Sequence, residues 1–191
     1  MRILVINPGS TSTKVAVYED ERPVLLRNIR HTADELQQYA TSFDQLPLRQ
    51  NKIVQTLEEE EIPFDFDAIV GRGGLTHPIP AGVYRVNAQM LHDTRTAIRQ
   101  HVCNLGCHIA AALASQIDHC EALIADPVIV DEMCAEARIC GCPNMSRNSV
   151  WHALNQRATA RRHALAIGRR YEDLDLIVAH LGGGITIGVH H

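Results

Sequence analysis

One pattern occurs near both ends of this 191-residue chain, and it restricts the possible folds more than any other feature of the sequence. Each copy consists of a short apolar run, a polar residue, a glycine-containing turn and a second apolar run. The first copy spans residues 3–17 with Asn7 as its polar residue, and the second spans residues 176–189 with His180 at the same place. A pattern repeated at this distance predicts two similar α/β domains that face each other. Because only the opening hairpin of the second copy is present, we expect the second domain to be truncated.

Strand and helix signals alternate between the two copies, as in an α/β fold. The sequence predicts strands at residues 2–7, 14–18, 23–31, 68–70, 122–125 and 174–181. It predicts helices around Ile53 and Leu57, after the capping residues Asn87 and Asn104, and from Ser146 to Gly168. We therefore expect one α/β domain over residues 1–145, and a linking helix with the opening hairpin of a second domain over residues 146–191.

The composition argues against several classes of function. The formal net charge is −4, so no basic field favours nucleic acid or an anionic membrane surface. No apolar run has the length that a transmembrane helix needs, and the N-terminus lacks the features of a signal peptide. The sequence thus predicts a cytoplasmic protein whose six cysteines are reduced and behave as small apolar residues, since their spacing does not fit a structural zinc site.

The turn after the first strand can bind an anion. Backbone amides of a glycine-containing bend can converge on a phosphate, the hydroxyls of residues 10–13 add donors, and Lys14 adds a positive charge. The alternative is an ordinary polar hairpin turn. The segment is not a Walker loop, because Thr13 and Val15 stand where that motif requires glycine and a hydroxyl residue. Neither G-x-G-x-x-G nor H-E-x-x-H is present, which argues against dinucleotide oxidoreductases and zinc proteases.

Taken together, the motifs of the chain resemble those of the acetate and butyrate kinase family. Residues 5–14, Val-Ile-Asn-Pro-Gly-Ser-Thr-Ser-Thr-Lys, resemble the opening phosphate motif of these enzymes. Six later blocks follow in the family's order: residues 71–74, 101–106, 126–127, 130–133, 151–155 and 179–184. The resemblance implies the N-terminal portion of a ribonuclease-H-like protein of the actin, Hsp70 and sugar kinase superfamily.

Individual residues favour the butyrate kinases within this family. Residues 7–12 read Asn-Pro-Gly-Ser-Thr-Ser, whereas the corresponding motif of acetate kinases resembles Asn-Ala-Gly-Ser-Ser-Ser, so the chain differs at Pro8 and Thr11. Acetate kinases also show a histidine before two glycines where this chain has Arg72. The implied reaction is the reversible phosphorylation of butyrate by ATP with Mg²⁺, which gives butyryl phosphate and ADP. The resemblance also implies a small carboxylate as the only partner besides nucleotide, and a homo-oligomer for the full-length protein.

The resemblance also implies a role for particular residues. Groups that hold the nucleotide phosphates would be Asn7, Ser10, Ser12, Lys14, Gly182, Gly183 and Gly184. Arg72 and His101 would bind the carboxylate substrate, with Arg72, Asp126, His152 and His180 in catalytic roles. Asn7 and Asp126 would hold the metal through water. The alternatives are a surface loop for Arg72, structural hydrogen bonds for His101 and His152, and Asp131 as a substitute for Asp126.

Two alternatives to a butyrate kinase stay open on the sequence alone. The chain could be a non-catalytic fragment that binds phosphate or carboxylic acids. It could also be a kinase that prefers acetate, propionate or a branched acid, because one methylene group contributes only about 1–3 kcal/mol to discrimination in an apolar pocket.

Overall fold

The computed structural model of the chain describes residues 1–182 and 184–190. Its strands are β1 (Arg2–Pro8), β2 (Ser12–Glu19), β3 (Arg22–Arg30), β4 (Ala68–Arg72), β5 (Val83–Arg85), β6 (Glu121–Ala125), β7 (Leu176–Leu181) and β8 (Ile185–His190). Its α-helices are α1 (Ala33–Gln37), α2 (Leu46–Glu59), α3 (Ala88–Thr96), α4 (Leu105–Ala114) and α5 (Ala153–Ala166). No helix of the described residues combines the length and the apolarity that crossing a membrane demands.

The chain forms two compact units. The first contains Met1–His77 and Gly82–Ala125, and the second contains Pro78–Ala81 and the chain from Asp126 onward. The boundary that the sequence predicts near residue 145 concerns the domains of a longer protein, and it stays a prediction.

Asp126, the first residue of the second unit's main segment, adopts a φ of 35°, a left-handed conformation that residues other than glycine rarely adopt.

A mixed six-stranded sheet organises the first unit, in the order β3-β2-β1-β4-β6-β5. β2 is antiparallel to both β1 and β3, and β5 is antiparallel to β6, whereas β1, β4 and β6 run parallel to one another. Parallel neighbours end at the same edge of a sheet, and polar residues that follow them are therefore brought close together. Asn7 and Arg72 lie at that edge, because Ile6 and Gly71 are opposite each other in the register.

The core of the first unit is formed where α2 and α4 cover the sheet. Apolar residues of α2 recur at helical spacing, and Ile53 and Leu57 are buried with the β1 residues Leu4 and Ile6. Helix α4 packs against β1, β4 and β6 and is rich in small apolar residues. Its cysteine, Cys107, is a free thiol, and burial raises the pKa of this thiol, so it stays protonated and packs as an apolar group.

Two glycines allow α4 to approach β4 backbone to backbone. A Cβ atom on Gly71 would lie 2.1 Å from the carbonyl oxygen of Gly106, and a Cβ atom on Gly106 would lie 2.0 Å from that of Arg72. Neither distance is compatible with a side chain. The glycines of two family motifs, residues 71–74 and 104–106, therefore set the depth at which α4 packs behind Arg72.

The second unit contains α5 packed against the β7–β8 hairpin. In the hairpin His180 is opposite Thr186, as Asn7 is opposite Lys14 in the β1–β2 hairpin, and each lies one residue before its strand ends. The repeat that the sequence shows is thus a repeat of local structure. One face of β7 and β8 is apolar and exposed, with Ile177, Leu181, Ile185, Ile187 and Val189 66–77% accessible.

Three predicted helix starts have different outcomes. Asn87 caps α3 as predicted, and its side chain accepts a hydrogen bond from the backbone N–H of Met90 at 2.9 Å. Helix α4 begins directly after Asn104 as predicted, but the side chain makes no capping hydrogen bond; the buried amide instead accepts from the N–H of Leu75 and donates to the carbonyl of Thr94. Ser146 does not cap α5, which begins at Ala153, because Ser149 and Trp151 bind the carbonyl oxygen of Val130 and keep that segment extended.

Candidate functional site

The predicted phosphate loop is a tight four-residue bend between β1 and β2. The ladder ends at the pair Pro8 and Thr13, and the N–H of Gly9 donates to the carbonyl oxygen of Ser12 at 2.7 Å. Ser10 and Thr11 at the tip are exposed. The Gly9 amide is therefore not available to an anion, whereas the hydroxyl groups at the tip are accessible.

The carbonyl oxygens of the bend are engaged from inside the protein. The buried guanidinium of Arg49 donates to the carbonyl oxygens of Ser10 and Ser12 at 3.4 and 3.3 Å. The N–H of His31 donates to the carbonyl oxygen of Thr11 at 2.9 Å. Carbonyl oxygens repel an anion. Because those of residues 10–12 are turned inward, amide and hydroxyl donors are left for the outer side of the bend.

His31 supports the bend as a neutral residue. It is 5% exposed, its Nε2 lies 2.8 Å from the hydroxyl of Thr13, and Arg49 also donates to that hydroxyl at 2.9 Å. Burial and the nearby cations Arg49 and Lys52 lower the pKa of His31 from 6.5 to about 4.

This pKa predicts a loss of stability in acid. Below pH 6.5 the unfolded chain takes up a proton that folded His31 does not bind until about pH 4, so stability falls as the pH is lowered through that window. We expect His31 to account for about 2 kcal/mol of lost unfolding free energy between pH 7 and pH 5. Urea unfolding at both pH values should show a smaller pH dependence in His31→Gln than in the unchanged chain. The exposed His119→Gln is the control, and an unaltered pH dependence in His31→Gln would refute the prediction.

Asn7, Lys14 and Arg72 meet at the carboxyl edge of the parallel strands. Arg72 is half-buried, and its Nη1 donates to the Oδ1 of Asn7 at 3.4 Å. Lys14 is opposite Asn7 in the β1–β2 register and is exposed. Three residues that the sequence analysis assigned separately to phosphate and carboxylate are thus neighbours, and two of them are cations.

His101 lies close enough to Arg72 to be affected by its charge. Desolvation, and then the Arg72 guanidinium, lower the pKa of His101, so the imidazole is neutral at pH 7. Its Nδ1 accepts a hydrogen bond from the N–H of Cys103 at 3.1 Å. In the neutral ring the proton is therefore on Nε2, which can donate to an anion.

In the second unit, Asp126 is placed against a cation that the sequence analysis did not identify. The Oδ2 of Asp126 lies 3.4 Å from the Nε of Arg157, whose Nη1 contacts the Oε2 of Glu132 at 3.0 Å. Arg157 projects from α5 and is 15% exposed. Asp131, the predicted substitute, binds Arg138 through both carboxylate oxygens, and this pairing lowers the pKa of Asp131.

His152 and His180 form a stacked pair in the second unit. Their ring centroids are 3.8 Å apart and the planes differ by 5°. The amide of Asn155 donates to the Nδ1 of His180 at 2.9 Å. The hydroxyl of Thr186 accepts from the amide of Gln156 at 2.9 Å and lies 2.8 Å from the Nδ1 of His152. In the tautomer whose Nδ1 accepts these hydrogen bonds, each ring carries a proton on Nε2 that can be donated to an anion.

The glycine turn after β7 lies against this histidine pair. A Cβ atom on Gly182 would lie 3.0 Å from the Nε2 of His180, and one on Gly184 would lie 3.5 Å from the Cε1 of His152. Gly182 therefore keeps the space next to His180 open, whereas a Cβ atom on Gly184 would make an ordinary contact with His152. Gly183, which was predicted to bind nucleotide phosphate, lies outside the described residues.

The structure thus groups the predicted residues into two sets, one in each unit. The first set is Asn7, Ser10, Ser12, Lys14, Arg72 and His101, and the second is Asp126, His152, His180, Gly182 and Gly184. Sequence reasoning missed Arg49 and Arg157. Each is one of several arginines or lysines in a helix, and only the burial of its guanidinium marks it, which the local sequence does not show.

The sequence was compared with family models and with known proteins. No family model matches the chain. A protein of Bacteroides thetaiotaomicron named "Probable butyrate kinase" is 58% identical over 190 residues, which are 100% of this chain and 54% of that protein. Butyrate kinase 1 of Clostridium acetobutylicum is 48% identical over 191 residues, covering 99% of this chain and 54% of that protein. The chain therefore spans about half the length of these relatives, and its resemblance to butyrate kinases is confirmed.

Solved structures show the fold. An acetate kinase of Porphyromonas gingivalis matches 98% of this chain with a TM-score of 0.69 at 14% identity. A propionate kinase of Francisella tularensis matches 98% of it with a TM-score of 0.61 at 15% identity. In both cases the chain covers 54% of the solved structure. The predicted fold class, a ribonuclease-H-like α/β fold, is confirmed by these matches.

Proposed function

We propose that this chain, whose whole length is homologous to about half of proteins named butyrate kinase, supplies the phosphate loop and the carboxylate-binding arginine of an ATP-dependent carboxylate kinase. The substrate would be butyrate and the product butyryl phosphate. The observation that carries the proposal is the phosphate loop, in which the carbonyl oxygens of residues 10–12 are held inward while Lys14 and Arg72 lie at the same sheet edge. A cytoplasmic location and a homo-oligomer of the whole protein belong to the same proposal.

The arrangement fits the phosphate groups of ATP. The hydroxyls of Ser10 and Ser12 and the ammonium of Lys14 would bind phosphate oxygens on the outer side of the bend. In the second unit the Nε2 protons of His152 and His180 would donate to phosphoryl oxygens. Gly182 leaves the space for this approach, because even a Cβ atom there would come within 3.0 Å of His180.

Arg72 is the residue best suited to hold the carboxylate. A guanidinium forms two parallel hydrogen bonds with a carboxylate, and among the described residues this one has a single long hydrogen bond, at 3.4 Å, to Asn7. The Nε2 proton of His101 would add a donor. With its charge compensated in this way, butyrate can approach the phosphoryl group without strong repulsion.

The residues fit a Mg²⁺ ion that is held mainly by the substrate. Among the described residues no three His, Cys, Asp or Glu side chains are close enough to form a metal site. Mg²⁺ commonly keeps several waters and binds one or two carboxylates together with substrate phosphates. In the first unit the amide of Asn7 is the group that would contact such an ion through water, and in the second unit it is the carboxylate of Asp126. The ion would supply charge neutralisation on the phosphates.

The reaction itself requires little acid–base chemistry. A carboxylate oxygen of butyrate forms a bond to the γ-phosphorus, the bond from that phosphorus to the β–γ bridging oxygen breaks, and ADP leaves. Butyrate is already an anion, so no proton has to be removed from the nucleophile. The chain would therefore act by orienting the two anions and by neutralising the charge that spreads over the transferring group.

The proposal is tested by trapping the product. The 191-residue chain is incubated with ATP, MgCl₂ and butyrate, and hydroxylamine converts any acyl phosphate to a hydroxamate. We expect butyryl hydroxamate to form, with reactions that lack butyrate or ATP as blanks. Parallel reactions with acetate, propionate and isobutyrate identify the preferred acid, and higher efficiency with acetate would refute the choice of butyrate.

A second candidate function is binding without turnover, which the coverage of only 54% of the relatives favours. It predicts no hydroxamate above the blank, but saturable binding of inorganic phosphate and of butyrate in equilibrium titrations. If the chain showed neither turnover nor saturable binding of either anion, both candidate functions would be wrong.

A further inference from the structure

Arg49 is a fully buried cation directly beneath the phosphate loop. The residue is 0% exposed, although it lies on α2 and not on the loop. Its Nε and Nη2 both donate to the Oε1 of Gln45, at 3.2 and 2.9 Å. Its remaining contacts are the hydroxyl of Thr13 and the carbonyl oxygens of Ser10 and Ser12. The guanidinium thus joins one helix to Ser10, Ser12 and Thr13 around the bend.

The charge of Arg49 is not neutralised by a carboxylate. Within residues 1–182 and 184–190 it takes part in no ion pair, in contrast to Lys52 on the same helix, whose Nζ lies 2.5 Å from Glu35. Burial lowers the pKa of Arg49 to about 10, so the guanidinium remains charged at pH 7. Burying a charge without a counter-ion is costly, and dipoles of carbonyl, amide and hydroxyl groups compensate only part of that cost.

We propose that Arg49 is a positioning residue of the phosphate loop, and that an anion bound on the outer side of the loop is its counter-ion. The guanidinium holds two loop carbonyls inward, which turns the donors of the bend outward. Its unneutralised charge then adds attraction through the thin layer of loop backbone. This inference rests on the proposed function, because it takes phosphate as the ligand of the bend.

Gln45 permits a test of the charge that leaves the geometry in place. Gln45→Glu has nearly the same shape, and its carboxylate would accept from the same Nε and Nη2 atoms. The variant therefore keeps Arg49 in position but supplies an internal counter-ion. If Arg49 only packs and cross-links the bend, phosphate binding should not change. If its charge attracts the ligand, binding should weaken although the fold is equally stable or more stable.

The experiment measures the dissociation constant of inorganic phosphate and the urea unfolding of each variant of the whole chain. We expect Gln45→Glu to bind phosphate about tenfold more weakly, the order expected for neutralising a unit charge roughly 10 Å away in a partly screened medium. Lys52→Met is the matched control, since it changes the net charge equally on the same helix but removes a cation that is already paired. It should bind phosphate within about twofold of the unchanged chain.

Two substitutions at Arg49 complete the set. Arg49→Met should weaken phosphate binding at least as much as Gln45→Glu and should also destabilise the fold. Arg49→Lys should bind phosphate better than Arg49→Met, because lysine retains the charge, although it lacks the several N–H donors of the guanidinium.

Unchanged phosphate affinity in a folded Gln45→Glu would overturn the role of Arg49 and leave the phosphate loop assignment intact. An unchanged chain that binds no phosphate at all would overturn the loop assignment, and the role of Arg49 with it.

Discussion

Gly106→Ala is expected to destabilise the chain by about 3 kcal/mol or more, although alanine is the better helix former. Helix propensity alone favours the substitution by about 1 kcal/mol. The new Cβ atom, however, would lie 2.0 Å from the carbonyl oxygen of Arg72 and 3.0 Å from two further backbone atoms of that residue. Overpacking against backbone that cannot yield costs about 1–3 kcal/mol and in severe cases more, so the steric term exceeds the propensity term.

Urea unfolding of the whole chain checks this expectation, with Gly141→Ala as the control. No atom lies within 4 Å of a Cβ built on Gly141, so its replacement should change the unfolding free energy by less than about 1 kcal/mol. The sheet-side partner, Gly71→Ala, should resemble Gly106→Ala, since its Cβ would meet the carbonyl oxygen of Gly106 at 2.1 Å. Equal urea midpoints for all three variants would show that α4 does not approach β4 as closely as described.

The second large effect is expected on carboxylate binding. Arg72→Gln should weaken the binding of butyrate by about 10- to 100-fold, because charge-assisted hydrogen bonds to a carboxylate contribute about 1.5–3 kcal/mol. The affinity of Arg72→Lys for butyrate should lie between those of the unchanged chain and Arg72→Gln, since lysine retains the charge but cannot form the bidentate pair. Equilibrium titration with butyrate measures the effect, and the KM for butyrate measures it where hydroxamate forms.

Butyramide and a distant arginine serve as controls for this prediction. Butyramide has the shape of butyrate without its charge, so the unchanged chain should prefer butyrate and Arg72→Gln should lose most of that preference. Arg22 is 74% exposed and is paired with Glu19 on the surface, and Arg22→Gln should therefore bind butyrate normally. If Arg72→Gln and Arg22→Gln bound butyrate equally well, Arg72 would not be the carboxylate-binding residue.

Much of the fold could be predicted because its signals are local. Alternating apolar residues indicate β1 and β2, and the bend at residues 9–12 follows from its glycine and hydroxyl residues. The short apolar run of β4 is likewise recognisable, because two glycines follow its last residue, Arg72. The predicted start of α5 is wrong by six residues, because the residue before its first turn is His152 and not Ser146. Ser146 has the side chain of a helix cap, but the contacts of Ser149 and Trp151 with Val130, about twenty residues earlier, keep the chain extended. Long-range hydrogen bonds thus outweighed a local preference.

By itself the sequence determined the order of strands and helices, the bend after Asn7 and the kinship with butyrate kinases, since each depends on neighbouring residues or on motifs in order. The tertiary structure decided which polar groups are buried and what they meet. It placed Arg49 under a loop 37 residues earlier, paired Arg157 with Asp126, and packed Gly106 against Arg72. The physical reason is that burial and charge pairing depend on distances between remote parts of the chain, which the three-dimensional fold alone fixes.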